Sequence, residues 1–349
     1  MRILLVDDSI LMRSILKQLI SSWEGFEIVG EEGNGKKAIE SVIRLKPDLL
    51  LMDINMPVMD GIEATEIIMR ISPLPIVILT SEDIAGTGFK AINNGALEII
   101  PKPDIAKMND PIFVEGFKNI LTQVSRYGHF KIKSHGISSA KTLSNPFADM
   151  EDIVNSTRVK SQKYKIIVMG ASTGGPSSVK TILSKLPKNF SLGILLCQHI
   201  EAGFDKGYAE WLNDGSELTI KVAAHGEKIT SGTVLIAPAT QHLICHNDQV
   251  LLDDGPRIEN QKPSIDKMFI SASKVYGNSV IGVLLTGMGN DGAQGCKSIV
   301  NSGGITLIQN EETSMIFGMP KAAIELNAAS EILALDQFAD SLKRKCKND

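Results

Sequence analysis

Three residues suited to acyl transfer stand far apart in the chain, each just after an apolar run. Ser172 follows KIIVMGA, His199 follows LGILLCQ, and Asp291 follows VLLTGMGN. A serine hydroxyl is a weak nucleophile near neutral pH. It needs an imidazole to take its proton, and the imidazole needs a carboxylate to fix its tautomer and stabilise imidazolium. Strand ends that meet in one cleft would assemble such a triad. Ser172 lies in GASTGG (170–175), where Gly174 and Gly175 let backbone N–H groups approach a substrate closely. A helix beginning near Pro176 would direct its positive end toward developing negative charge, and GMGNDG around Met288 offers a further oxyanion donor. The same glycine-rich loop also suits a nucleotide phosphate with Ser172 as its ligand, although GxGxxG spacing and a Walker lysine are absent. The loop is not read as the nucleophile elbow of an α/β-hydrolase.

A second constellation is acidic. Asp7 and Asp8 follow the run RILLV, and Asp53 follows DLLLM. In a parallel sheet these ends share one side, so three carboxylates would converge and call for a hard divalent cation such as Mg²⁺. Thr80 and Lys102 close two further runs and add a hydroxyl and an ammonium suited to phosphoryl oxygens. The competing reading is that Asp7 and Asp8 only cap a helix beginning at Ser9.

The elements that must position these residues follow from periodicity. Apolar runs at 2–6, 48–52, 75–79 and 97–100, with a weaker FEIVG between the first two, alternate with segments of helical spacing. Strong runs resume at 164–170, 192–198, 233–238, 280–287 and 305–309. The expectation is an α/β chain with two doubly wound parallel-sheet domains, flavodoxin-like and then Rossmann-like. HLICHNDQVLLDD is read as an antiparallel hairpin added to the second domain. The domains are placed at 1–125 and 164–349, with the polar stretch 126–163 as a linker. Within it Phe147, Met150, Ile153 and Val154 suit either a short docked helix or mere tethering.

At 349 residues the chain exceeds what one core usually supports. Its 36 Lys and Arg are scattered among 40 Asp and Glu, for a formal charge of -4, so no nucleic-acid surface is expected. The start MRILLVDDSI is neither a signal peptide nor a membrane span, which suggests a cytoplasmic protein without membrane insertion. A monomer is expected. Cys197, Cys245, Cys296 and Cys346 lack metal or disulfide spacing and are read as reduced thiols. HLICH (242–246) has the residue types of a metal site, but strand and core packing accounts better for it. His225, His242 and His246 are read as structural or exposed rather than catalytic, and His129 and His135 fall in or beside the linker.

LLVDDSILMR, LLMDINMPVMDG, VILTS and IIPKP resemble the receiver domain of two-component response regulators. That resemblance implies that Asp53 accepts phosphate from a histidine kinase. It also implies that Asp8, Asp53 and the backbone carbonyl of Asn55 hold Mg²⁺, supported by Asp7, and that Thr80 and Lys102 sense the acyl phosphate. Ile99 stands where many receivers carry an aromatic switch residue. GASTGGP, LLCQHI, APATQHL, KPSIDKMF, LLTGMGNDGAQG and QNEETSMIFGMPKAAIE resemble the catalytic domain of the CheB methylesterases. This second resemblance implies hydrolysis of glutamate methyl esters on chemoreceptors, with Ser172 as nucleophile, His199 as base and Asp291 as its partner. Thr173 and Met288 would supply oxyanion N–H groups, no cofactor would serve the esterase site, and glutamine deamidation would share the same residues. Glu201-Ala202, Ala239-Thr240 and Lys262 depart from the family pattern, and Glu201 is expected near the cleft. A phosphorylation-dependent scaffold and a nucleotide-binding output domain are the rival functions.

Overall fold

The computed structural model describes residues 1–80, 85–103, 110–135 and 164–346. The first unit alternates strand and helix throughout. Its elements are β1 (Arg2–Val6), α1 (Ile10–Ser21), β2 (Glu27–Glu32), α2 (Gly35–Leu45), β3 (Leu49–Asp53), α3 (Gly61–Ile71), β4 (Ile76–Thr80), α4 (Ala85–Asn93), β5 (Glu98–Pro101) and α5 (Pro111–His135). The strands form one parallel sheet in the order β2-β1-β3-β4-β5. β3 and β4 are buried at every position, as continuous apolar runs covered on both faces should be. Local chemistry sets the helix starts: Ser9, Asn34 and Asp60 each accept N–H groups of the first turns of α1, α2 and α3.

Helix α5 runs on to His135, through residues that the sequence reading gave to the linker. The rest of that stretch, including Phe147, Met150, Ile153 and Val154, lies outside the described residues.

The second unit contains β6 (Ile166–Ala171), α6 (Gly175–Leu183), β7 (Gly193–Gln198), α7 (Asp205–Asn213), β8 (Thr219–Val222), β9 (Thr233–Ile236), β10 (His242–His246) and β11 (Gln249–Asp253). It continues with α8 (Ile265–Tyr276), β12 (Val280–Leu284), α9 (Ala293–Asn301), β13 (Ile305–Gln309), α10 (Met319–Glu325), β14 (Glu331–Leu333) and α11 (Phe338–Cys346). Seven strands make a parallel sheet in the order β14-β13-β12-β6-β7-β9-β8. From β6 the chain builds toward β7 on one side and later toward β12 on the other, so a crevice opens at the carboxyl ends of these three strands. The hairpin β10–β11 forms a two-stranded sheet of its own. Buried Leu243, Cys245 and Val250 share a core with Phe269 and Met268 of α8, and Cys245 N–H bonds Ser271 Oγ at 2.9 Å.

The two units touch through α4 and α7. Phe89, 1% exposed, packs on Tyr208 and Trp211 at ring-centroid distances of 5.2 and 5.3 Å. Burying a phenylalanine ring stabilises a contact by about 1.5–3 kcal/mol. Among the described residues, no helix is long and apolar enough to cross a membrane.

Candidate active site and acidic pocket

Ser172, His199 and Asp291 stand just beyond β6, β7 and β12, the strands that flank the crevice. Parallel pairing of β6 with β7 continues one step past the strands, where His199 N–H bonds Ala171 O at 3.0 Å. The side chain of Gln198 ties the two ends together by donating to Ser172 O at 2.8 Å and His199 O at 3.2 Å. Ser172 N–H bonds Thr286 O at 3.0 Å beyond β12. The buried amide of Gln309 accepts Thr286 N–H at 2.8 Å, and Thr286 Oγ1 donates to Thr173 O at 3.0 Å. Gln198, Thr286 and Gln309 were not among the residues picked from the sequence, although each lies in a quoted motif: LLCQHI, LLTGMGNDGAQG and QNEETSMIFGMPKAAIE.

His199 Nε2 donates to Asp291 Oδ2 at 2.9 Å. Its Nδ1 is buried and has no hydrogen-bond partner among the described residues, so this nitrogen carries the available lone pair. Burial opposes ionisation of Asp291. The His199 bond and the N–H groups of Asp266 and Ile265 outweigh burial, and its pKa falls below the ordinary carboxylate value.

Ser172, Thr173, His199 and Met288 line one cavity of about 1130 Å³. Glu201, Ala239 and Lys262, the departures from the family pattern, face the same space. So do Glu98 and Ile99 of β5, which places first-unit residues over the crevice. Glu98 Oε2 accepts Gly174 N–H at 2.7 Å, inside the glycine-rich loop. Gly174 has φ +74°, a conformation that L side chains rarely adopt.

Gly170, Ser172 and Gly174 do have Gly-x-Ser-x-Gly spacing and turn from β6 into α6, contrary to the expectation that set the nucleophile elbow aside. The chain order Ser172, His199, Asp291 still differs from the Ser, Asp, His order of α/β-hydrolases. HLICH carries no metal chemistry. His242 is buried with both ring nitrogens bonded to backbone groups, His246 is exposed, and burial pushes the Cys245 thiol up to about 12.

The acidic pocket sits where the strand order of the first sheet reverses, between β1 and β3. Ligand oxygens of Asp7, Asp8 and Asp53 lie within 4.8 Å of one another. Lys102 Nζ lies 2.8 Å from both Asp7 Oδ2 and Asp53 Oδ2. Burial raises the Asp53 pKa despite Lys102, with the Asp7 charge adding to the rise. The Lys102 pKa is also raised: burial opposes its charge, but its bonds to Asp53 and Asp7 prevail. One ammonium cannot neutralise three carboxylates, and the all-oxygen donor set fits Mg²⁺. Helix capping is done by Ser9, while Asp7 Oδ1 accepts Ser9 N–H at 2.8 Å and Asp8 remains exposed. Thr80 ends β4 fully buried, and Gly88 of α4 packs beside it. Asn55 is exposed in the loop after Asp53.

A family model for the CheB methylesterase matches residues 167–342, and one for the response regulator receiver domain matches residues 3–113. The chain is 37% identical over 344 residues to a protein-glutamate methylesterase/protein-glutamine glutaminase of Syntrophus aciditrophicus, covering 97% of this chain and 96% of the relative. This chain belongs to the CheB methylesterase family. A CheB-family relative from Methanococcus maripaludis, with the same activity in its name, is 35% identical over 355 residues, covering 95% and 94% of the two chains. The crystal structure of the Thermotoga maritima CheB methylesterase catalytic domain matches with a TM-score of 0.50 and 39% identity. It covers 52% of this chain and 98% of that domain.

Proposed function

We propose that this chain is a phosphorylation-controlled protein-glutamate methylesterase that hydrolyses glutamate methyl esters on chemoreceptors and also deamidates receptor glutamines. The observation that carries this reading is that His199, bonded to Asp291, lines the same cavity as Ser172. Ser172 Oγ attacks the ester carbonyl while His199 Nδ1 takes its proton, and Asp291 stabilises the imidazolium. The N–H groups of Thr173 and Met288 receive the oxyanion. Collapse of the tetrahedral intermediate expels methoxide, which leaves as methanol with the proton from His199. Water then attacks the acyl-serine, His199 again relays the proton, and a free glutamate departs. A glutamine amide follows the same course and releases ammonia.

The first unit acts as the regulator. A histidine kinase supplies phosphate to Asp53, and Asp8, Asp53 and the Asn55 carbonyl would hold Mg²⁺, with Asp7 in support. When bound, the ion neutralises the transferring phosphoryl charge. Lys102 and Thr80 bind the new phosphoryl oxygens. The protein works in the cytoplasm as a monomer, its regulator and esterase joined by the segment after α5. Because Glu98 and Ile99 line the cavity beside Ser172, the unphosphorylated regulator restricts substrate entry. Phosphorylation raises activity by favouring a state without that cover.

Methanol release from methylated receptor membranes tests the reading. Ser172→Ala is expected to abolish release with an unchanged unfolding temperature, and a small phosphodonor is expected to stimulate the unaltered chain. Retention of most turnover by Ser172→Ala would rule out the nucleophile assignment.

A further inference from the structure

Two motifs remain outside that mechanism, HLICH and KPSIDKMF, and the fold brings them together behind Asp291. The Asp291 carboxylate, 4% exposed, sits at the N-terminus of α8 and accepts from four donors. Oδ1 takes the Ser264 hydroxyl at 3.0 Å and Asp266 N–H at 2.9 Å. Oδ2 takes Ile265 N–H at 2.8 Å and His199 Nε2 at 2.9 Å. Ser264 is also the N-cap of α8, its Oγ accepting Lys267 N–H at 3.3 Å. A hydroxyl has one proton, so the bond to Asp291 uses the only one the Ser264 side chain can donate.

Ser264 is held in turn by His242. Both residues are 0% exposed. His242 Nε2 lies 2.9 Å from Pro256 O, which can only accept, so the ring proton is on Nε2. The lone pair on Nδ1 is then free to accept Ser264 N–H, at 3.1 Å. The tautomer is fixed by the backbone. Burial lowers the His242 pKa, and Lys267 and Lys262 act with it against the opposing Pro256 bond and Asp253 charge, which favours the neutral ring.

We infer that Ser264 is a positioning residue for catalysis, aiming the Asp291 carboxylate at His199, and that His242 holds Ser264 in place. The inference rests on the proposed roles of Ser172, His199 and Asp291. A carboxylate with two oxygens can swing about its last bond. The hydroxyl and Asp266 N–H engage Oδ1 together, which leaves Oδ2 facing His199. The hairpin β10–β11 thereby gains a purpose, since it carries His242 to the back of the site.

The test uses the full chain and methanol release from methylated receptor membranes. Ser264→Ala should lower kcat about ten-fold with little change in KM, as expected for a lost bond to a charged group. Ser264→Thr should restore most of the loss. Ser264→Gly, a substitution that helix N-caps tolerate well, should reproduce the loss and covers the case in which the alanine chain folds poorly. With one donor fewer, Asp291 attracts the imidazolium more strongly, so the acidic limb of the kcat/KM profile should move to higher pH. Cys197 and Asp266, the other ionisable groups coupled to Asp291, are unchanged in these variants.

In an Asp291→Asn background, Ser264→Gly should cost less than about two-fold, because residues acting through one group are not additive. Equal losses in both backgrounds, or folded Ser264→Gly with wild-type kcat, would overturn the assignment of Ser264. His242→Phe should lower kcat in the same direction, and a wild-type rate there would overturn the part given to His242. An Asp291→Asn chain with undiminished activity would instead remove the underlying triad.

Discussion

Glu98 of the receiver unit accepts the backbone N–H of Gly174, two residues beyond Ser172, at 2.7 Å. The contact places a buried carboxyl against the glycine-rich loop, where the proposed reaction leaves another carboxylate as product. Tyr208 is an ionisable neighbour of Glu98, and burial raises its pKa well above the ordinary phenol value. The phenol therefore stays neutral.

That contact should depend on pH. Burial pushes the Glu98 carboxyl up to about 7, although the Gly174 and Ile99 N–H bonds favour its ionised form. Released into water it returns toward 4.5, the ordinary value. Between these values the docked state holds more protons than the released one. Docking is therefore most favoured below the lower value, weakens as pH rises, and stops changing above about 7. Basal methanol release by the unphosphorylated chain, divided by that of Glu98→Gln, should rise between pH 5 and 7, by at most about ten-fold per pH unit. Any pH effect common to both chains cancels in this ratio. A flat ratio would show that the Glu98 charge does not govern docking.

Gly287 is predicted to be sensitive to substitution, though less so than the proposed nucleophile. A Cβ added there would lie 2.6 Å from Ser172 Cβ and 2.3 Å from Met319 Sδ. The methionine end can move aside, but Ser172 Cβ is fixed by a backbone bonded to Thr286 and Gln198. Gly287→Ala should displace Ser172 and lower kcat about a hundred-fold, the scale of a 1 Å misplacement. Near-normal kcat in a folded Gly287→Ala chain would show that Ser172 tolerates displacement.

Much of this site was legible because parallel strands buried on both faces read as unbroken apolar runs, and function gathers at their carboxyl ends. Ser172, His199 and Asp291 each closed such a run. The edge strands of the second sheet were not legible: β8 and β14 are short and partly exposed, so no apolar run marks them. Ser264 stood in plain view in KPSIDKMF, yet its partner Asp291 is 27 residues away and only folding joins them. The Glu98–Gly174 bond spans 76 residues and two units, a distance that no local pattern encodes.

Removal of metal should affect the acidic pocket and leave the esterase crevice unchanged. Among the described residues, Asp7, Asp8 and Asp53 are the one group of carboxylate, imidazole or thiol ligands clustered tightly enough to hold an ion. Asp53 is 2% exposed, and its charge is opposed by burial and by Asp7. Phosphoryl transfer brings further negative charge into that space, which Lys102 alone cannot balance. Chelation should therefore reduce stimulation by a small phosphodonor to about one-fold, and added Mg²⁺ should restore it. Asp53→Asn should lose stimulation with or without the ion. Basal methanol release should stay the same in all these cases, because Ser172, His199 and Asp291 lie outside the cluster. Measuring basal and stimulated release side by side separates the two sites. Loss of basal release on chelation would place a metal in the esterase reaction, and stimulation surviving in Asp53→Asn would move the phosphorylation site elsewhere.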